Sequence, residues 1–450
     1  GDPNAGAFLQ SALVTAFIGA MLALSAANPN LRAIDVRQGF LLTLSIWIVL
    51  PVFGALPLHL GAPELGWTDA IFEGVSGLTT TGSTVIVGLD DLPAGMNLWR
   101  GMLNWLGGLG IAFVAMIFLP VMRVGGMQFF RSEGFDTLGK ALPRAADIAL
   151  ALVRVYALLT VACVLTYAML GMTPLDAVVN ALATTATGGF SPSDASFGKY
   201  PGAAEYAGGV LMILAAMPYI RYVQLIAGSP APLWRDAQAR AFVQWVAVAV
   251  ALVTLWRVAT SDMGLEPAFR ETFFNLSSVM SGTGFVSGSF AGWAGFSMVV
   301  AFTVGMIGGC SGSSSSALTV FRVQVVVAAV RAALRRIDSP HRVDPVKYDG
   351  RAVSADALNG VILYVTSYLV LIFVVAIVMT MQGMDLTSAV FGAWTSLGNI
   401  GYGYGPITAR TGTMVDVSTG SKWVMILCMV TGRLGLLAFL VVFLPQFWRG

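Results

Sequence analysis

The chain has 450 residues, 56% hydrophobic and 11% charged, with a mean hydropathy of +0.78, whereas a soluble domain carries about 25% charged residues. This composition excludes a soluble globular protein and points to a polytopic membrane protein. The net charge of +2 implies no nucleic-acid partner. Three cysteines, Cys163, Cys310 and Cys428, are too few and too odd in number for a disulfide framework, and His59 and His341 leave little material for a metal site. The opening Gly1-Asp2-Pro3-Asn4 has no basic n-region, so no signal peptide is expected.

In chain order, residues 5–27 are long enough to span, since about 20 apolar residues cross a bilayer. Residues 39–60 form the next span, 67–78 a half-length helix, and 97–120 another span. A linker over 123–144, carrying Arg123, Arg131, Lys140 and Arg144 among apolar residues, reads as an interfacial segment. The pattern then returns: span 148–171, half-helix 174–183, and span 204–228, which Pro218 should kink. It returns again as 242–259, 267–280 and a long segment 293–336, and once more as 355–381, 385–397 and 422–447. Thr68-Asp69, Thr173-Pro174, Glu266-Pro267 and Asp385 open the four half-helices with residues that cap or enter helices.

Each half-helix runs into an uncharged glycine loop. The four loops are Thr79-Thr80-Thr81-Gly82-Ser83-Thr84, Thr184-Thr185-Ala186-Thr187-Gly188-Gly189-Phe190, Ser281-Gly282-Thr283-Gly284-Phe285 and Gly398-Asn399-Ile400-Gly401-Tyr402-Gly403. Irregular backbone at membrane depth survives only where it is buried in protein or lines a wet cavity. One such loop reads as a tight re-entrant turn. Four, each at the C-terminal, partially negative end of a half-helix, can arrange backbone carbonyls in a ring that replaces the water shell of a monovalent cation. The expected filter residues are Thr80, Thr81 and Gly82; Thr187 and Gly188; Thr283 and Gly284; and Asn399, Ile400 and Gly401, with Gly82, Gly188, Gly284 and Gly401 taken as equivalent.

The expected fold is an all-α membrane protein with four parallel repeats of span, pore helix, filter loop and span around a pseudo-fourfold pore, plus at least one extra N-terminal helix. The divisions are the extra helix (1–36), repeat one (37–122), a cytoplasmic interfacial linker (123–147), repeat two (148–230), repeat three with an interrupted second helix (231–336), and a cytoplasmic loop with repeat four (337–450). Basic residues concentrate on the side of Arg32, Arg37, Arg235, Arg240 and the cluster over 331–351. The other side has only Arg100, Lys199, Arg270, Arg410 and Lys422. The positive-inside rule makes the rich side cytoplasmic and turns the glycine loops outward. Parallel repeats argue against an inverted-repeat transporter.

A second constellation interrupts 293–336: Gly308-Gly309-Cys310-Ser311-Gly312-Ser313-Ser314-Ser315-Ser316. Paired glycines and serial serines disfavour a regular helix, so the stretch reads either as a flexible barrier below the filter or as a small-residue packing face. Arg433 lies well inside the last span, where charge is costly and faces a cavity or a partner. It is read as an electrostatic barrier or as a tether for the loop. Arg221, beside Pro218, is a similar case, and Glu73 in the first half-helix reads as a support for the filter.

The four loop types, the Gly-Gly-Cys-x-Gly-Ser stretch and Gly432-Arg433-Leu434 resemble the Trk/Ktr/HKT superfamily of potassium transporters, most closely its bacterial TrkH branch. The likeness runs from Arg37-Gln38-Gly39-Phe40 to Phe447-Trp448-Arg449 and includes Ala55-Leu56-Pro57, Gly125-Gly126-Met127-Gln128 and Gly171-Met172-Thr173-Pro174. It implies a potassium-selective, channel-like uptake subunit in the bacterial inner membrane, multi-pass and homodimeric, with potassium as substrate and no cofactor of its own. It also implies gating by the barrier loop and by a cytoplasmic TrkA-type ring that binds NAD or ATP/ADP. Glycine at every filter position goes with potassium in this family, and serine in the first goes with sodium in some plant members. The family loop usually continues with glycines and a lysine, where Ser314-Ser315-Ser316-Ala317-Leu318-Thr319 stands here. The family also usually begins with a helical hairpin, of which one helix, 5–27, is present.

Sodium or mixed transport within the same superfamily is the nearest alternative. A secondary transporter of an organic solute would call for intramembrane carboxylates at a midplane site, and few are present. An intramembrane serine hydrolase at Ser311 would need a base within reach, and neither His59 nor His341 is placed to serve. No Walker-type phosphate loop occurs, so nucleotide dependence would require a partner.

Overall fold

The structure, a computed structural model, describes residues 1–26, 36–113, 145–293, 295–339, 345–442 and 444–449. Most of the expected linker 123–147 and the end of span 97–120 lie outside the described residues.

The chain is helical almost throughout. Within lipid every backbone N–H and C=O must be paired inside its own segment, and leucine-, alanine- and valine-rich runs satisfy this as helices. Helix α1 (Ala5–Ser25) precedes the repeats. Of its side chains only Ala7 and Ser11 are buried, so most of its apolar circumference is exposed. Repeat one is α2 (Val36–Leu60), the half-helix α3 (Trp67–Leu78) and α4 (Ala94–Phe113). Repeat two is α5 (Ala145–Met169), α6 (Pro174–Ala186), then α7 (Ala203–Ala215) and α8 (Tyr219–Ile226). A short helix α9 (Ala231–Arg235) leads to repeat three: α10 (Ala237–Thr260), α11 (Leu265–Ser281), α12 (Gly295–Ile307) and α13 (Val320–Asp338). A small antiparallel hairpin, β1 (Lys347–Tyr348) and β2 (Arg351–Ala352), packs Tyr348 edge-on against Phe321 of α13. Repeat four is α14 (Ala355–Met381), α15 (Leu386–Gly398), α16 (Thr419–Leu434) and α17 (Leu436–Val441), and α18 (Pro445–Arg449) follows.

Five described helices, α1, α2, α5, α10 and α14, are long and apolar enough to cross a membrane, and the bent pair α7–α8 reaches that length and hydropathy only when its two parts are taken together. The half-helices α3, α6, α11 and α15 are held at the centre. Their last turns are fully enclosed, with Leu78, Ala186, Met280 and Leu397 all buried, while the long helices expose apolar side chains such as Leu158, Leu255 and Phe373 outward. The outgoing helices touch the half-helix ends closely. A Cβ on Gly107 would lie 1.8 Å from the Leu78 carbonyl oxygen, and one on Gly432 would lie 2.1 Å from that of Leu397.

The half-helix starts follow the sequence in two repeats. Thr173 accepts from the Asp176 amide and Asp385 from the Ser388 amide. In the other two, glycine occupies the cap, Gly66 and Gly264. Asp69 instead reaches across to Lys422 at 2.7 Å, an ion pair between repeats one and four.

The outgoing span of repeat four is interrupted at Gly435 (φ 86°), between α16 and α17, and those of repeats two and three are broken in a way that lets the two breaks repair one another. Helix α7 turns into α8 through 91° at Met217-Pro218, where proline cannot donate its hydrogen bond. The Ala216 carbonyl accepts from the Cys310 amide at 3.0 Å, and the Tyr219 amide donates to the Gly312 carbonyl at 2.9 Å. The kink expected from Pro218 in repeat two and the irregular stretch 308–319 in repeat three thus meet as one stitched junction.

Candidate functional site: a carbonyl ring and the loop beneath it

Each half-helix ends in the same turn. A residue in left-handed conformation stops the helix: Thr80 (φ 52°), Thr187 (φ 49°), Gly282 (φ 75°) and Asn399 (φ 49°). The next residue donates its amide five residues back into the helix: Thr81 to Ser76, Gly188 to Ala183, Thr283 to Ser278 and Ile400 to Thr395, at 2.8 to 3.0 Å. A second left-handed residue follows, Gly82, Gly189, Gly284 and Gly401, with φ of 84°, 71°, 84° and 89°. Only glycine adopts this conformation without cost.

These turns close into a ring. A Cβ on Gly82 would sit 2.2 Å from the Gly188 carbonyl oxygen, one on Gly189 2.0 Å from Thr283 O, one on Gly284 1.9 Å from Ile400 O, and one on Gly401 2.2 Å from Thr81 O. Each glycine Cα therefore packs on the carbonyl of the next loop, around the four repeats and back to the first. No side chain fits at any of the four positions. The equivalence taken from sequence needs one correction. Gly189, not Gly188, is the second ring glycine, and Gly188 supplies the carbonyl that corresponds to those of Thr81, Thr283 and Ile400. The repeated Thr-Gly pair suggested the other register, but the helix-ending turn falls on Thr187, so the glycine is needed two residues on.

Side chains behind the ring lock it. In loops one and three a serine hydroxyl of the half-helix donates across the turn, Ser76 to Ser83 O at 2.6 Å and Ser278 to Phe285 O at 2.7 Å. Asn104 on α4 donates to the Gly77 carbonyl and accepts from the Phe190 amide, tying the first half-helix to the second loop. Asn399 donates to the Thr81 hydroxyl and to the Met429 carbonyl, both at 2.9 Å, tying the fourth loop to the first. Glu73 accepts from the Thr84 hydroxyl and the Val85 amide and pairs with Arg100, fulfilling its expected support of loop one.

Beyond the ring glycines a cavity of about 460 Å³ opens, lined by Thr84, Phe190, Ser191, Val286, Tyr402 and other residues that follow the loops. Its wall is cross-linked between repeats. Asp194 accepts from the amides of Gly88 and Leu89, Asp90 accepts from the Ser193 hydroxyl and the Asp194 amide, and Lys199 reaches both Asp90 and Asp176. Partial burial alone would raise the Asp90 carboxyl, but the Ser193 hydroxyl, the Asp194 amide and Lys199 outweigh it and hold the group below its ordinary value. Burial would lower Lys199, yet Asp176 and Asp90 keep it above its usual range.

On the opposite side of the ring lies the stretch 308–319. The Ser315 hydroxyl donates to the Ser281 carbonyl at 2.5 Å, at the C-terminal end of α11, and the Gly309 amide donates to Ser315 Oγ. Ser314 Oγ meets the Tyr219 hydroxyl at 2.6 Å, and Tyr219 also donates to the Thr185 carbonyl. Ser313 donates to Cys310 O, and the Ser311 amide donates to Gln238. Arg433, buried on α16, donates to the Ser314 carbonyl at 2.8 Å and to the Ser316 hydroxyl. Ala317 and Thr319 have φ of 65° and 71°, a conformation unfavourable for a β-branched residue. Arg221 belongs elsewhere: it pairs with Asp236, the cap of α10, at 2.7 Å.

The structure thus brings Arg433 into contact with Ser314 and Ser316 and sets the Thr81, Gly188, Thr283 and Ile400 carbonyls against Gly401, Gly82, Gly189 and Gly284 of the neighbouring loops. Sequence reading missed Gly189, Gly282, Asn104 and Tyr219. The tandem Gly188-Gly189 was the available signal for the first. Gly282 ends α11 locally, beside Thr283-Gly284, whereas Asn104 and Tyr219 act across repeats, where no local pattern marks them.

Four half-helices whose ends meet loop against loop inside a bundle of long apolar helices define an all-helical, multi-pass membrane protein. The TrkH family model, described as a cation transport protein, matches residues 5–449, and the chain belongs to this family, one of transporters and not enzymes. It is 36% identical over 417 residues to the Trk system potassium uptake protein TrkI of Halomonas elongata, covering 92% of this chain and 84% of the relative. It is 35% identical over 458 residues to the Trk system potassium uptake protein TrkH of Escherichia coli, covering 100% and 93%. The crystal structure of the potassium transporter TrkH from Vibrio parahaemolyticus superposes with a TM-score of 0.90 at 32% identity, covering 99% of this chain and 93% of that one.

Proposed function

We propose that the protein is a potassium uptake subunit in which potassium, the transported substrate, passes through the ring of Thr81, Gly188, Thr283 and Ile400 carbonyls. The observation that carries this reading is the closed contact of each ring glycine with the next loop's carbonyl. Such a ring presents oxygen dipoles at fixed spacing, and a cation that sheds its water there is repaid by carbonyls. The half-helix ends add partial negative charge. The relatives named above are potassium uptake proteins, which supports potassium over sodium, as does glycine at all four ring positions.

The stretch 308–319 with Arg433 is the gate. A guanidinium beneath the ring opposes a cation where water is scarce, and its hydrogen bonds to Ser314 and Ser316 hold the loop across the path. By the positive-inside rule the cavity faces outward and the arginine-bearing end of α13 faces the cytoplasm. There a TrkA-type nucleotide-binding ring docks on a homodimer of this chain.

The deciding experiment is ion flux in vesicles containing the purified protein, with potassium, sodium and a panel of organic solutes. Uptake of potassium well above sodium supports the reading. Equal uptake of both ions makes it a mixed cation transporter, and uptake of a solute alone overturns it.

A further inference from the structure

We infer that the buried Glu73–Arg100 pair is the positioning element that sets ion discrimination on the side of the ring formed by repeats one and two. The inference rests on the filter reading above.

Nine residues before the ring glycines stand Glu73, Asn180, Asn275 and Gly392. Three residues after those glycines stand Val85, Pro192, Ser287 and Tyr404. In repeat three Asn275 Oδ1 accepts from the Ser287 amide at 3.1 Å, and in repeat one Glu73 Oε2 accepts from the Val85 amide at 3.0 Å. These are the same contact. In repeat two Pro192 has no N–H to give, and Asn180 Oδ1 is left without a partner among the described residues. An amide therefore suffices to brace a loop, and the negative charge of Glu73 serves something else.

That something is Arg100. Its Nε donates to Glu73 at 2.9 Å, with side-chain exposures of 1% and 0%. Its Nη1 donates to Asn97 Oδ1 and to the Ser191 carbonyl at 3.0 Å, and its Nη2 donates to the Thr84 hydroxyl. The guanidinium lies 4.3 Å from the centre of the Phe190 ring. Arg100 thus holds loop two, through Ser191 and Phe190, to loop one, through Glu73 and Thr84, and it borders the cavity above the ring. Only a planar fork reaches all these acceptors at once. An arginine there would repel the transported cation if its charge stood alone. Glu73 cancels that charge and leaves the fork.

The test uses the full chain in vesicles and reads two quantities, the half-saturating potassium concentration and the potassium-to-sodium uptake ratio, for Glu73→Gln, Arg100→Gln and the double variant. Asp69→Asn, which breaks an ion pair on the same half-helix far from the loop, is the control. Glu73→Gln is expected to raise half-saturation roughly tenfold by uncovering the positive charge. The double variant should restore half-saturation to near wild type while the uptake ratio stays reduced, because loop two has lost its anchor. Should Glu73→Gln fail to fold, Arg100→Lys gives the same decision: charge kept and fork lost, so the ratio falls at unchanged half-saturation. If the variants alter only thermal stability, like the control, and leave both quantities unchanged, the pair is structural and the inference is wrong. The filter reading is judged separately by the wild-type ratio in the same vesicles.

Discussion

The side-chain amide of Asn399 donates to the hydroxyl of Thr81 at 2.9 Å across 318 residues of chain, joining the last loop to the first. The same amide donates to the Met429 carbonyl, so one side chain fixes loop four to both the ring and the outgoing helix. Asn399→Gly keeps the left-handed turn (φ 49°) but removes both bonds. It should lower stability by about 1–3 kcal/mol, since buried partners are left unmade. Asn399→Ala should cost more, because it adds a left-handed penalty of about 1 kcal/mol. Thermal unfolding in detergent checks the order, and equal stability of both variants with wild type contradicts it.

The ring glycines make a register prediction. Gly189→Ala places a Cβ 2.0 Å from the Thr283 carbonyl oxygen, whereas Gly188→Ala meets the Asn104 side chain at 2.5 Å. Both perturb the loop, but only Gly188→Ala should be relieved by shortening Asn104. Potassium-to-sodium uptake should fall for Gly189→Ala with or without Asn104→Ala, and recover in part for Gly188→Ala combined with Asn104→Ala. Gly82→Ser, which meets the Gly188 carbonyl at 2.2 Å, should also weaken discrimination against sodium. Wild-type ratios in bi-ionic flux for Gly82→Ser and Gly189→Ala would remove the ring from the ion path.

Arg433 and the serine loop should act together. Arg433→Ala and deletion of residues 312–316 should each raise basal potassium flux in the absence of any partner, and the double change should add little beyond either. An interaction between contacting residues shows as such non-additivity. If both variants insert correctly and neither raises flux, the barrier is elsewhere and the loop is a packing face.

Arg335 and Arg336 occupy the last turn of α13, and Arg342 follows outside the described residues. Neutralising all three should weaken co-purification with a TrkA-type ring. Complex formation at wild-type yield, with insertion unchanged, would leave these charges only the role of setting topology.

The outer junction between repeats one and two should depend on pH. Asp90 is held below its ordinary value of 3.8, so its contribution to stability is complete above that value. It is lost as pH falls through the lower folded value. Because Asp90 and Lys199 are partly exposed, Asp90→Asn should cost no more than about 1 kcal/mol at neutral pH, with a difference that shrinks below pH about 4. Unfolding midpoints of the two proteins at neutral and acidic pH check the sign.

What the sequence determined by itself was periodic and local. Long apolar runs made spans, short ones made half-helices, and a glycine after each half-helix marked a turn that side chains cannot adopt. Those signals sufficed for the all-helical class, four repeats, three of the four ring glycines, the break at Pro218 and the interruption before α13. Tertiary structure alone decided how the loops meet. The register of loop two depended on where α6 stops, and Thr187-Gly188-Gly189 permits two readings that differ only once the neighbouring carbonyls are in place. Asn104, Tyr219 and the partner of Glu73 reach across repeats, and a hydrogen bond between residues far apart in the chain leaves no spacing to read. Arg433 was conspicuous as a charge in an apolar span, but its partner became identifiable only when α16 and the broken span of repeat three packed side by side. There the buried guanidinium met the carbonyl of Ser314, freed by the broken helix.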